Sequence, residues 1–178
     1  MMSRTMTEAR LPRRVDATKL VENNQQLNAN IDTKLLTRIV DATECADVPV
    51  EVQLEFRRDE ENNRTVIGNC RTHVIMVCQR CLGTVGFDIS SQFNIGLVFS
   101  DEQAKHLSKR LEPVEMDENG QLDLWEVVED EILLNLPEFP MHPEGECRMY
   151  KSESDNEPEA DVKKENPFDV LAKLKQKQ

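Results

Sequence analysis

From Val48 onward the chain alternates: Val48, Val50, Val52, Leu54 and Phe56 are separated by Pro49, Glu51, Gln53 and Glu55. A period of two gives an extended chain one apolar and one wet face, so this stretch predicts a strand half-buried against a core. The polar run Asp59 to Asn63 predicts a turn. A second strand is expected from Arg64 to Val77, with Val66, Cys70, Val74 and Met76 on one face and Ile67, Ile75 and Val77 among Asn69, Arg71 and His73 on the other. The third strand is the clearest, with Phe87, Ile89, Phe93, Ile95, Leu97 and Phe99 on odd positions and Asp88, Ser90, Gln92 and Asn94 between them. Three strands in succession with short connections predict an antiparallel meander. Four of the six phenylalanines fall in or at the ends of the first and third strands, which places the expected core there.

Around the strands the period changes to that of helices. Asp16 stands where a side chain would cap a short helix over Ala17 to Glu22, and Asp32 precedes a stripe of Leu35, Leu36, Ile39 and Val40 that predicts a second helix within 31–40. Ser100-Asp101-Glu102-Gln103 resembles a capping box and predicts a helix to about Lys109. Glu112 to Met116 reads as an edge strand before the turn Asp117-Glu118-Asn119-Gly120. Asp123, with Glu126 three residues on, opens a helix expected to end at Leu136 before Pro137. Its stripe is Leu124, Trp125, Val128, Ile132 and Leu136, and Glu126, Glu129, Asp130 and Glu131 are expected on a solvated outer face.

These elements predict an α+β fold, an antiparallel β meander packed by a few helices, in a single domain over 1–147 whose first ten residues form a loose tail. The acidic stretch 148–165 has no strong apolar pattern and is expected to be a disordered linker. Asn166 as cap and Pro167 at the first helical position then open a short C-terminal helix over 166–178, with Phe168, Leu171 and Leu174 on one stripe. Alone it is too short to be stable, so it is expected to fold on binding a partner.

Charge refines this. The net charge is −12, with charged residues at 31% and hydrophobic residues at 38%, which suits a packed body carrying unpacked polar tails. Residues 1–19 carry +3 and residues 167–178 carry +2, so the intervening body is −17. Such a body repels a phosphate backbone, gains nothing from counterion release, and attracts basic partners. No leader-like or membrane-spanning apolar run is seen, and a cytoplasmic location is expected. In a reducing compartment the five cysteines read as core thiols and metal ligands rather than a disulfide framework.

The candidate chemistry centres on Cys78-Gln79-Arg80-Cys81. Two thiolates three positions apart can grip a metal, close a redox disulfide, or simply end a hairpin. His142 and Cys147 offer the partners that would complete a Cys3His structural zinc site. The redox use is disfavoured because no helix starts after Cys81 to lower a thiol pKa. Arg80, with Arg71 and Arg64 on the preceding strand, suits phosphate contact, although pairing with a carboxylate of this acidic chain is the stronger expectation. His73 and His106 read as strand or surface residues. Without a phosphate-binding glycine loop, nucleophile elbow or acid–base pair, an enzyme is not expected, nor a small-molecule substrate.

Several runs, in this order, carry a family resemblance: Cys78-Gln79-Arg80-Cys81, Asp101-Glu102-Gln103-Ala104, Asp123-Leu124, Val128-Glu129-Asp130-Glu131-Ile132, Leu136-Pro137 and Asn166-Pro167-Phe168 with Val170-Leu171-Ala172. Over nearly the whole chain the sequence resembles the bacterial YceD family of large ribosomal RNA subunit accumulation proteins. The resemblance implies a role in synthesis, processing or stability of 23S ribosomal RNA. With no catalytic motif in the chain, the expectation is a non-enzymatic role, with a ribosomal protein or pre-50S particle as partner and the RNA contacted indirectly. Combined with the charge, it leads to the expectation of a factor that holds a basic ribosomal protein. The alternative is direct RNA binding by Arg13, Arg14 and the Arg80 turn.

Overall fold

The computed structural model describes residues 10–147. The expected linker 148–165 and helix 166–178 lie outside the described residues, as does the tail apart from Arg10. In chain order the elements are β1 (Arg14–Asp16), α1 (Ala17–Glu22), β2 (Gln26–Ile31), a 3-10 turn (Thr33–Leu35), α2 (Thr37–Ala42), β3 (Val50–Arg58), β4 (Arg64–Val77), β5 (Thr84–Val98), α3 (Asp101–Ala104), β6 (Glu112–Glu115), β7 (Gln121–Asp123) and α4 (Leu124–Leu134).

The main sheet has the order β2-β3-β4-β5-β6, and β1 pairs with β7 in a separate ribbon. The period-two pattern sets the register: Val52 pairs with Cys70, Phe56 with Val66, and Val66 in turn with Ile95, so apolar side chains share one face across three strands. On that face Val50, Phe56, Val74 and Ile95 are essentially inaccessible, and α1, α2 and α4 supply Val21, Ile39, Val128 and Ile132 against it. Gly68 sits mid-strand opposite Phe93, and a Cβ there would fall inside the Phe93 ring; glycine is what lets the ring lie over the strand.

The meander is observed for β2 to β5, but the sheet is not wholly antiparallel. β6 runs parallel to β5, reached by a crossover through 99–111 that holds α3. Ser100 caps α3 as expected, its Oγ accepting from Gln103 N, yet the helix ends at Ala104 rather than near Lys109. The helix expected within 31–40 is replaced by two pieces. The Asp32 carboxylate accepts from Lys34 N and closes a 3-10 turn, Leu36 leaves helical geometry at φ −95° and ψ 85°, and α2 restarts at Thr37. β2 was not foreseen, because its apolar face is only Leu27, Ala29 and Ile31.

The start of α4 follows the sequence, with Asp123 Oδ1 accepting from Trp125 N and Glu126 N. Its acidic face does not. Glu129 and Glu131 are each 8% exposed. Glu129 Oε1 accepts from Arg38 N at 2.7 Å and more distantly from Ile39 N, while Oε2 accepts from Arg38 Nε at 3.0 Å. It caps α2, which has no side-chain cap of its own, from another helix. Glu131 Oε2 accepts from Ser91 Oγ at 2.8 Å. The solvated face is therefore narrower than expected: Glu129 and Glu131 are buried, and with Asp130, whose Oδ1 accepts from Arg38 Nη1 at 2.6 Å, three of its four carboxylates join α4 to neighbouring elements.

Candidate metal centre

β4 and β5 form a long hairpin whose tip is Cys78 to Gly83. Cys78 N donates to Gly83 O at 2.8 Å and Leu82 N to Cys78 O at 2.9 Å, and Leu82 takes the left-handed φ of 58° that closes the turn. The segment after α4 comes back over this tip. Gln79 N donates to Pro140 O at 2.9 Å, and Gln79 Nε2 to Glu138 O at 3.3 Å. Arg80 Nη2 lies 3.4 Å from His142 O and 3.5 Å from Pro143 O. Among the described residues main-chain carbonyls thus take Arg80, rather than the carboxylate expected for it; the thiols, Cys147 foremost, raise its guanidinium above its ordinary value.

These contacts bring the Cys78, Cys81, His142 and Cys147 ligand atoms within 4.8 Å of one another, a set that could hold a metal ion. Cys78 is fully buried and the other three are partly so. Cys78 Sγ is 3.8 Å from Cys147 Sγ, and Cys81 Sγ is 3.5 Å from His142 Nδ1. A zinc tetrahedron with Zn–S of about 2.3 Å and Zn–N of about 2.05 Å has S···S edges of about 3.8 Å and S···N edges of about 3.6 Å. The donor set and both edges fit that ion, and all five cysteines are free of disulfides.

The thiols do not titrate alike. Burial opposes ionisation of Cys78, but the backbone N–H groups of Cys81, His142 and Arg80, with the His142 side chain, outweigh it and draw the thiol down to about 5. Turn amides therefore do what a helix N-terminus was expected to be needed for. The Gly83 amide favours the Cys81 thiolate, yet proton sharing with Cys147, burial and Cys78 raise it on balance. Crowded sulfurs resist ionising together unless a cation sits among them, which is how metal binding couples to proton release.

Elsewhere, Arg13 Nε pairs with Asp123 Oδ2 at 2.9 Å and its guanidinium lies 5.7 Å from the Trp125 ring centre; Arg14 Nη2 pairs with Asp117 Oδ2 at 3.1 Å. Both arginine side chains are more than half exposed. Phe168, Leu171 and Leu174 lie outside the described residues. His73 pairs with Asp88 at 2.8 Å on the sheet, and His106 is exposed. The carbonyls of Glu138 and Pro140, which seat the hairpin tip, escaped sequence reasoning because backbone acceptors carry no residue-type signal.

A hairpin tip met by a returning segment at a Cys3His set that could hold a metal ion, on an α+β body, defines a small protein with a candidate metal clip. The chain belongs to the YceD family, large ribosomal RNA subunit accumulation protein: the family profile matches residues 66–175, which includes the whole clip. It is 32% identical over 174 residues to the large ribosomal RNA subunit accumulation protein YceD of Haemophilus influenzae, covering 97% of this chain and all of that protein. No solved structure matches the chain significantly. The family is named for ribosomal RNA accumulation and carries no enzyme's name. Among the described residues no helix is long and apolar enough to cross a membrane.

Proposed function

We propose that this protein is a non-enzymatic ribosome biogenesis factor, required for 23S ribosomal RNA accumulation, that acts by holding a basic ribosomal protein or assembly intermediate. The observation that carries this reading is the charge distribution, −17 over the body of a chain with a net charge of −12. Opposite charge steers a basic partner in and shields it from premature contact with RNA. The clip braces the long hairpin as a rigid part of the binding body, with structural zinc held by Cys78, Cys81, His142 and Cys147. The acidic stretch 148–165 serves as a tether, and Phe168, Leu171 and Leu174 present the C-terminal helix to a second partner.

The test is the affinity of the purified chain for basic large-subunit ribosomal proteins between about 50 and 300 mM salt, where screening shortens the reach of charge from roughly 14 to 6 Å. A marked fall in affinity is expected; binding that ignores salt would contradict steering by charge. The second reading, direct contact with ribosomal RNA, rests on exposed Arg13 and Arg14 and on Arg80. All three already have intramolecular partners, so RNA would have to displace them. Reversing these three charges should abolish RNA binding if that reading holds.

A further inference from the structure

One groove combines an apolar floor with an acidic rim. It runs between β6 and α4, with a volume of about 370 Å³. The stripe Glu126, Val127, Asp130, Glu131 and Leu134 recurs at helical spacing on α4 and forms one wall. Glu112 and Glu115 stand on the opposite wall, both exposed, with Val114 between them. Among the described residues no lysine, arginine or histidine lines it.

Two features point to an occupant. Leu134 is 72% exposed at the groove's end, an apolar side chain left in water by the described fold. Glu131 is more than nine-tenths buried in the wall; among the described residues Ser91 Oγ donates to its Oε2, and neither a donor nor a cation meets Oε1. Asp130 is already paired with Arg38 and Asp123 with Arg13, which leaves Glu112, Glu115, Glu126 and Glu131 as the charge without an ion pair among the described residues. Burial, with Glu112 and Asp130 nearby, pushes the Glu131 carboxyl above its ordinary value despite the Ser91 hydrogen bond. A cation brought into the groove would relieve that crowding.

The mode of contact also follows. Met116 N donates to Val98 O, so the N–H groups at even positions of β6 face β5 and those at odd positions face the open edge. Pro113 occupies one of these odd positions and has no N–H to offer. Strand addition is therefore blunted, and side chains rather than backbone must hold the occupant. An acidic rim excludes a phosphate backbone, and a second acidic body is repelled.

We propose that this groove seats a basic amphipathic segment of a protein partner, its lysines or arginines on Glu112, Glu115, Glu126 and Glu131 and an apolar side chain on Val114, Val127 and Leu134. This rests on the basic-partner reading above and gives it an address. The probe is a twelve-residue peptide of lysines and leucines at helical spacing, beside a control with serine for leucine, titrated by fluorescence anisotropy against the full chain at constant salt.

The expected result is at least tenfold weaker peptide binding in E112Q/E115Q/E126Q, little change in the equally neutralised E22Q/E60Q/E61Q, and Leu134→Ser weakening only the leucine peptide. The six glutamates and Leu134 substituted in these variants are exposed, and unchanged thermal melts confirm the fold. Equal weakening in both triple variants would overturn the groove while leaving the acidic-holder reading intact. Wild-type chain that binds neither the peptide nor any basic ribosomal protein would overturn both. Severalfold tighter peptide binding in K173Q/K175Q/K177Q would assign the groove to the chain's own C-terminal lysines and overturn the partner.

Discussion

Single carboxylates decide more here than their number in an acidic chain suggests. Removing the Glu129 side chain would leave the first N–H groups of α2 uncapped and Arg38 half-desolvated with only Asp130 to pair it. Glu129→Ala should therefore cost about 2–4 kcal/mol in urea unfolding, against about 0.5 kcal/mol or less for an exposed glutamate such as Glu102. Equal losses at both positions would rule out the interhelical cap. Glu131 has the opposite sign. Its carboxyl is raised by burial, so the native state holds its proton more tightly than the unfolded chain, and stability falls as pH rises from the ordinary glutamate value of 4.5 through the raised one. Glu131→Gln should melt higher than wild type at pH 7, and the gap should close below about pH 4; a gap that widens in acid would show that the carboxylate stabilises the fold.

At the scale of elements, the β4–β5 hairpin carries both the sheet's tightest constraint and the clip. A methyl group at Gly68 must displace Phe93, so Gly68→Ala should lose about 2–3 kcal/mol although alanine suits a strand's backbone no worse. A thermal melt within a degree of wild type would mean the ring swings aside freely. The hairpin tip is held by backbone hydrogen bonds, and its Cys78 and Cys81 lie beside His142 and Cys147 of the returning segment. Elemental analysis of protein prepared without chelator should give one zinc per chain, lost in Cys78→Ser/Cys81→Ser together with thermal stability and with hydrogen-exchange protection around residues 76–84. Metal-free wild type that melts like the double variant would leave the clip without a metal.

For the whole molecule, charge and partner choice belong together. Arg13, Arg14 and Arg80 are scattered on a strongly acidic chain and each meets a protein acceptor. Purified protein should therefore hold ribosomal RNA fragments no more tightly than about 10 µM at physiological salt, below the affinity of specific nucleic-acid recognition. Nanomolar retention of RNA in gel shifts would put the RNA-binding reading first.

The sequence by itself determined β3, β4 and β5 and the start of α4, because a period of two and a side-chain cap are local signals that need no distant neighbour. It also showed the thiol pair of the clip, since Cys-x-x-Cys is a contiguous pattern, and named His142 and Cys147 as its partners. Only the tertiary structure decided that the two halves meet, through carbonyls on Glu138 and Pro140 that any residue could offer. It alone broke the stripe within 31–40 into a turn and a helix, because the cap of α2 comes from Glu129, some 90 positions away. It turned β6 parallel, a matter of chain crossover that alternation cannot encode. And it separated buried from solvated carboxylates on α4, because burial depends on what packs against a face, which a stripe read from one helix does not contain.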